Sequence, residues 1–268
     1  MKRVLSIQDL SCLGKCSLTV ALPVLSAMGC ACTVLPTAVL STHTAFPSPY
    51  CRSLTEDILP IAEHWHSVGA AFDAISIGYL ADPQQAEQVR AVLERFPSTV
   101  ILDPAMGDHG KLYSGQTPEH VQGMAQLCRQ ANYVLPNLTE ACLLTGLPYR
   151  EQADDAYLQE LADRMLDFGA DGVIITGFTR NHNQTGFFGV QKDSDPFIYQ
   201  TPQIGKAFHG TGDLFAAVFA GSLLRDHTVP SAATLAAHFV ERVISATAES
   251  TPFGIAFEPE LPWLAAQL

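Results

Sequence analysis

The chain is poor in basic residues: 15 Lys and Arg stand against 27 Asp and Glu, a formal net charge of −12. That balance argues against a general nucleic-acid surface. It leaves a small anionic ligand open, since a backbone turn or a metal binds one locally. No CxxC pair occurs among Cys12, Cys16, Cys30, Cys32, Cys51, Cys128 and Cys142, and seven is an odd count. A disulfide framework is therefore not indicated, and reduced thiols are expected. Cys12 and Cys16 have no second pair of ligands at metal spacing. Also missing is any Asp, Glu, Lys or Arg between Cys16 and Cys51. A membrane span of that length is possible, but Pro23, Gly29, Pro36 and several hydroxyl residues interrupt it. A buried helix at about 17–28 and a buried strand at about 31–39 explain it better. The opening MKRVLSIQ has too short an apolar part for a signal peptide, so a cytoplasmic protein is expected.

Three sequence signatures are absent as well. There is no G-x-x-x-x-G-K-[ST] loop; LGKCS at 13–17 has the lysine without the glycine spacing. Neither a G-x-G-x-x-G fingerprint nor a G-x-S-x-G elbow is found. If a nucleotide phosphate binds, residues 208–221, FHGTGDLFAAVFAG, must supply much of its site. Gly210 and Gly212 permit unusual backbone angles and close approach around Thr211. Asp213 then stands in the first turn of an apolar helix. Two readings are open: the carboxylate favours the positive helix end, or it acts as a base beside an anion-binding turn.

What is present is a composition fit for a core. Of 268 residues 47% are hydrophobic, which makes disorder improbable. Short β-branched runs recur at 3–8, 32–40, 73–78, 98–103, 131–136 and 171–176. Helical patterns separate most of them, clearest at 82–96 and 154–169. In the latter, Leu158, Leu161, Met165 and Phe168 form a stripe that Gly169 ends. The alternation predicts an α/β fold: a mainly parallel central sheet with helices on both faces. Residues 184–202 read as two further strands, antiparallel, and residues 231–250 as a long helix. The stretch 41–51, STHTAFPSPYC, reads as an exposed loop or short flap. No linker divides the chain, so residues 1–268 are expected to form one domain.

In such a sheet, ligands collect beyond the carboxyl ends of the strands. Asp9, Thr37, His43, Tyr79, Asp103, Asn137, Glu140 and Thr176 are all expected at those ends. Each has an ordinary alternative. Asn137 and Glu140 in PNLTE suit a helix cap, Asp103-Pro104 suits a turn, His43 a flap histidine, and Tyr79 a packed rim aromatic. His64, His66 and His238 have no partners at metal spacing and read as structural or exposed.

Taken together, VLSIQD with Gly14, PTAVLSTHTAF, IGYL, LDPAMGDHGKLY, PNLTEA and HGTGDLFAAVFAG resemble the pyridoxal kinases of the ribokinase-like superfamily, in order and spacing, over nearly the whole chain. The resemblance implies a ribokinase-like fold and an ATP- and Mg²⁺-dependent kinase acting on the 5′-hydroxymethyl group of a B6 vitamer. It implies Asp213 as catalytic base, and Gly210, Thr211 and Gly212 as an anion hole. It implies Asp103 and Glu140 near Mg²⁺, partly through water, and Tyr113, Asn137 and Thr176 near the ATP phosphates. Thr37, His43 and Tyr79 would surround the ring under the flap. One position departs: the family commonly has a serine where this chain has Asp9, a carboxylate suited to a protonated ring nitrogen or the amine of pyridoxamine. A hydroxymethylpyrimidine kinase and a catalytically silent vitamer-binding protein are the alternatives, and a homodimer is expected from the resemblance.

Overall fold

The structure, a computed structural model, describes residues 1–44, 46–180, 184–204, 208–247 and 253–268. The chain opens with β1 (Arg3–Leu13), α1 (Leu18–Ala27), β2 (Ala31–Thr42) and β3 (Cys51–Ser53). It continues through α2 (Thr55–Ser67), β4 (Ala74–Ile77), α3 (Gln85–Arg95) and β5 (Thr99–Leu102). A small hairpin, β6 (Gly107–Asp108) and β7 (Lys111–Leu112), precedes α4 (Pro118–Cys128), β8 (Tyr133–Val134), α5 (Leu138–Thr145) and α6 (Asp155–Leu166). Next come β9 (Gly172–Arg180), β10 (Gln184–Gln191) and β11 (Phe197–Pro202). The chain closes with α7 (Thr211–Leu223), α8 (Val229–Ala246), a 3-10 turn (Glu258–Glu260) and α9 (Leu261–Ala265).

Among the described residues, nine strands make one sheet in the order β11-β10-β9-β8-β5-β4-β1-β2-β3. The strands from β9 across to β2 pair in parallel, as continuous apolar strands such as AISI at β4, buried on both faces, require. β10, β11 and β3 are antiparallel additions at the two ends. One core lies between the sheet and α2 to α6, centred on Leu5, Ile7, Ile75, Val89, Leu158 and Phe178. The other lies between the opposite face and α1, α7 and α8, centred on Val4, Val24, Ile174, Phe219 and Phe239. Every residue of α7 from Leu214 to Ser222 is buried, which explains its nearly uniform apolar sequence. Each such large side chain contributes roughly 1.5–3 kcal/mol by leaving water.

The expected fold class holds: a mostly parallel sheet with helices on both sides. The antiparallel pair within 184–202 is present, joined by a polar turn after Gln191. Boundaries differ in ways that matter. β1 and β2 run to Leu13 and Thr42, and β9 runs to Arg180. Asp9, Thr37 and Thr176 therefore lie within strands, not after them. Cross-strand pairing overrides the polar residues that suggested strand ends. Conversely, the run at 131–136 yields only Tyr133 and Val134 as strand, because Leu135 and Pro136 already turn toward the α5 cap. The stretch 41–51 is the bend of the β2–β3 hairpin, with Ser41 bonded to Tyr50; Ala45 lies outside the described residues. The helix expected over 231–250 starts earlier, capped by Thr228, and residues 248–250 of that expectation lie outside the described residues.

β1 enters between β4 and β2, and the chain leaves it in one direction through α1 and returns in the other through α2. This reversal opens a crevice past the carboxyl ends of β1 and β4. Beside it, Gln8 pairs with Pro36 but Leu10 pairs with Val39, so β2 spends one residue more than β1. Pro36 has no N–H for the ladder, and the bulge re-aims Thr37 opposite Asp9.

Candidate active site

The GTGD segment forms the entrance to α7. Gly210 is its N-cap, left-handed at φ 88°. A Cβ there would fall 2.3 Å from the Lys15 carbonyl oxygen, so only glycine lets the turn press against the loop after β1. The Gly210 carbonyl accepts the Leu214 N–H at 2.9 Å, closing the first helical turn. The amides of the first α7 residues precede any i−4 partner within the helix, and Gly212 is exposed. Free N–H groups at the positive end of a helix favour an anion.

Asp213 lies deep behind that turn, with a partial opening to solvent. Burial pushes its carboxyl up to about 6, with help from the charge of Asp9. The Ser17 main-chain N–H and the Cys16 thiol lie beside it and oppose the rise. Asp103 follows β5, and its Oδ2 lies 3.6 Å from where a Gly212 Cβ would stand. Burial, then the neighbouring Asp213, push Asp103 up to about 8. Glu140 is buried and also raised, by burial first and by Asp103 second. Three carboxylates thus share one poorly hydrated region, and each resists ionisation while its neighbours are charged.

Glu140 closes a capping box at the start of α5. Its Oε2 accepts the Asn137 N–H at 2.8 Å, its own N–H donates to Asn137 Oδ1 at 3.0 Å, and its Oε1 accepts the Met106 N–H at 3.2 Å. The cap expected from PNLTE is present, and it also aims the carboxyl at Asp103. Asn137 Nδ2 donates to the Gly107 carbonyl at 2.8 Å, and Asn137 bridges to Thr176 in β9. Tyr113 is tied by its N–H to the Met106 carbonyl at 2.9 Å. Burial, followed by the charges of Glu140, Asp108, Asp103 and Asp213, carries its phenol well above the ordinary range. These residues therefore face one region.

On the other side, Thr37 Oγ1 donates to the Tyr79 carbonyl at 2.9 Å, and the Gln116 side chain lies beside the Tyr79 phenol. Buried His43 stacks on His209 with centroids 4.9 Å apart and meets Phe46 at 4.8 Å. Its ring fills the space beside Gly14, whose Cβ would come within 2.4 Å of it. The hairpin residue is thus in contact with the residue just before the GTGD turn. Asp9 is buried, and its two oxygens accept the hydroxyls of Ser11 and Ser17.

Sequence reading alone left out Ser17, Ser11, Gln85 and His209. Gln85, fully buried, donates to the Thr37 carbonyl at 2.7 Å and to Ser53 and Thr55, and accepts the Ala81 N–H. A glutamine on an amphipathic helix carries no signal of such a role. Ser17 had one, a hydroxyl residue directly before an apolar helix. Cys16, considered for metal binding or thiol reactivity, has a thiol raised well above its usual value by burial and by Asp213, which disfavours the reactive thiolate. All seven cysteines are free.

The donor set fits Mg²⁺, which takes oxygen ligands, keeps several waters and uses one or two carboxylates beside substrate phosphates. A divalent cation would let Asp103 and Glu140 ionise together. Both Glu140 oxygens already accept backbone N–H groups, so Glu140 suits a water-mediated contact. Among the described residues, no group of three or more His, Cys, Asp or Glu converges as an all-protein metal cluster.

A sequence profile of the phosphomethylpyrimidine kinase family matches residues 22–257. A Bacteroides thetaiotaomicron chain carried under the phosphomethylpyrimidine kinase name, in an orthorhombic crystal form with pyridoxal, is 34% identical. The similarity covers 98% of this chain and 95% of that one, with a TM-score of 0.94. Pyridoxal kinase from Lactobacillus plantarum is 32% identical over 100% of this chain and 98% of its own, with a TM-score of 0.92. Among curated proteins, the pyridoxine/pyridoxal/pyridoxamine kinase of Bordetella pertussis is 28% identical, with 92% and 90% of the two chains covered.

Proposed function

The chain belongs to the phosphomethylpyrimidine kinase family, and from that membership we propose that it transfers the γ-phosphoryl group of ATP to the 5′-hydroxymethyl group of a B6 vitamer: pyridoxal, pyridoxine or pyridoxamine. It is an ATP-dependent kinase of the kind its relatives are named for. One observation carries the residue-level reading: a half-buried carboxylate, Asp213, stands directly behind the glycine turn that opens α7.

Phosphoryl transfer requires positioning and charge stabilisation more than covalent help. Asp213 accepts the proton of the acceptor hydroxyl as its oxygen bonds to phosphorus. Its raised affinity for protons, about 6 against an ordinary 3.8, makes it a better base than an exposed aspartate. The amides of Gly210, Thr211 and Gly212 donate to the equatorial oxygens of the moving group. Donors of that kind are each worth roughly 3–4 kcal/mol of barrier. Mg²⁺, when bound, neutralises charge on the phosphate oxygens. Asp103 would hold it, with Glu140 through water, while Tyr113, Asn137 and Thr176 would stand toward the phosphates. Thr37, His43 and Tyr79 enclose the ring, and Asp9 supplies a carboxylate at its edge. Asp213→Asn is expected to lower kcat by about 10²–10⁴-fold with vitamer and ATP affinity nearly unchanged. Near-normal turnover in the folded variant excludes Asp213 as the base.

The family profile is named for a pyrimidine, phosphomethylpyrimidine, which keeps hydroxymethylpyrimidine, a primary alcohol on such a ring, as a second acceptor that the same base and turn would serve. Parallel assays of the three vitamers and hydroxymethylpyrimidine rank the acceptors. Asp9→Ser is expected to change the ranking among vitamers; an unchanged ranking removes Asp9 from substrate recognition. The same reading includes a cytoplasmic homodimer. No described helix is long and apolar enough to cross a membrane. Exposed Leu13 and Tyr50 flank the β2–β3 edge, where a second copy would cover them. Sedimentation velocity tests the assembly.

A further inference from the structure

Ser17 occupies the N-cap of α1 without capping it: no side-chain cap bond is made. Its hydroxyl instead crosses to Asp9 Oδ1, a residue on a different element. Its backbone sits at φ 52° and ψ −124°, a region that L-residues other than glycine seldom occupy. Ser17 is buried, and it pairs with Leu10 of β1 in an isolated antiparallel bridge. The loop that carries it packs against the α7 turn, where the Lys15 carbonyl approaches Gly210, and its main-chain N–H, beside Asp213, lowers that carboxyl's affinity for protons. The Asp9 carboxylate that anchors it is itself held by Ser11, at the bulge between β1 and β2. A serine that forgoes its own helix cap and holds a strained backbone is over-determined by its surroundings. The result of that arrangement is a main chain held in place beside a carboxylate.

We propose that Ser17 is a positioning residue for phosphoryl transfer: its hydroxyl, locked on Asp9, holds the backbone bend that points the Ser17 N–H at one oxygen of Asp213 and leaves the other facing the acceptor. The inference rests on the reading of Asp213 as base, and goes beyond it by assigning what orients that base. It predicts that chemistry and stability respond differently at this position. Ser17→Ala removes the hydroxyl and keeps the Cβ, so the strained bend loses the anchor that holds it and relaxes. Ser17→Gly removes the hydroxyl and also relieves the backbone strain.

The test is steady-state kinetics with pyridoxal, pyridoxine and Mg-ATP, alongside thermal melts, for Ser17→Ala, Ser17→Gly, Asp9→Ala, Asp9→Ala/Ser17→Ala and Asp213→Asn. Ser17→Ala is expected to lower kcat about tenfold or more, with both KM values within about threefold. Ser17→Gly is expected to melt higher than Ser17→Ala while kcat stays low. The double variant is expected to have no lower kcat than Asp9→Ala, because the serine hydroxyl acts through that carboxylate. Three results overturn the proposal: kcat of Ser17→Ala within twofold of the parent, kcat restored in Ser17→Gly, or independent multiplication of the two single effects. If Asp213→Asn turns over normally, the base reading itself fails. If Asp213→Asn is inactive while Ser17→Ala is normal, only the role of Ser17 fails.

Discussion

At the scale of single residues, the site depends on contacts that admit no substitute. Gly210 combines a left-handed backbone with a 2.3 Å approach of the Lys15 carbonyl to its missing Cβ. Gly210→Ala must displace either the loop after β1 or the α7 turn, so turnover should fall by at least about 100-fold, the scale of one lost anion-hole donor. Thermal melting should fall with it, and kinetics with circular dichroism check both. The half-buried acids make a second prediction. Asp213 is held up to about 6 and Asp103 to about 8, both above the ordinary 3.8. Between the unfolded and folded values, the folded chain binds more protons than the unfolded one, so stability falls as pH rises. The melting temperature of the metal-free protein should therefore drop, from these groups, between about pH 4 and pH 8. A divalent cation among the acids should offset that loss. Mg²⁺ is expected to raise the melting temperature more at pH 8 than at pH 5, and an equal rise at both would contradict the placement of Asp103 and Glu140 beside it.

At the scale of elements, residues that look like packing material fix the geometry of the acceptor side. Gln85, in the first turn of α3, joins β2 through Thr37, β3 through Ser53, and the start of α2 through Thr55. Through Thr37 it also reaches the Tyr79 carbonyl. Gln85→Leu keeps much of the volume and leaves the Thr37 carbonyl and the Ala81 N–H with fewer partners, at a cost of about 1–3 kcal/mol. The KM for the vitamer should rise several-fold while the KM for ATP stays near its parent value; equal changes in both would show that the hairpin does not shape the acceptor side selectively. This level was partly legible in sequence. The α5 cap was readable because Asn137 and Glu140 act on backbone a few residues away, and local chemistry leaves a local pattern. The Leu158, Leu161 and Met165 stripe was readable for the same reason, and all three are buried. The extents of β1, β2 and β9 were not, because strand length depends on partners far along the chain. The Gln8 to Pro36 register slip has no signature within β1 at all.

At the scale of the whole molecule, alternation of apolar strands and helices was enough to read a parallel sheet covered on both faces. The order of its strands was not, since it is set by which helix packs on which face. The candidate site gathers residues from β1, β2, β4, β5, α5, β9 and α7, each contributing from a different stretch of chain. Motifs could name Asp213, Asp103 and Glu140, but only the packed sheet places Asp103 against the α7 turn and Ser17 between Asp9 and Asp213. A site shared by so many elements should exist only in the folded chain, so its ligands should stabilise the entire fold. A ligand that binds the native state alone, present at 100 times its Kd, contributes about 2.7 kcal/mol. For a chain of this size that corresponds to a rise in melting temperature of roughly 5–10 °C. Pyridoxal, pyridoxine and pyridoxamine at equal concentration should therefore separate by their affinities, with hydroxymethylpyrimidine giving the smaller shift. If Asp9 faces the ring, Asp9→Ser should reduce the shift from pyridoxamine more than that from pyridoxine, because only the former brings an amine to a carboxylate. Equal reductions would confine Asp9 to holding Ser17, and a larger shift from hydroxymethylpyrimidine than from any vitamer would reassign the acceptor.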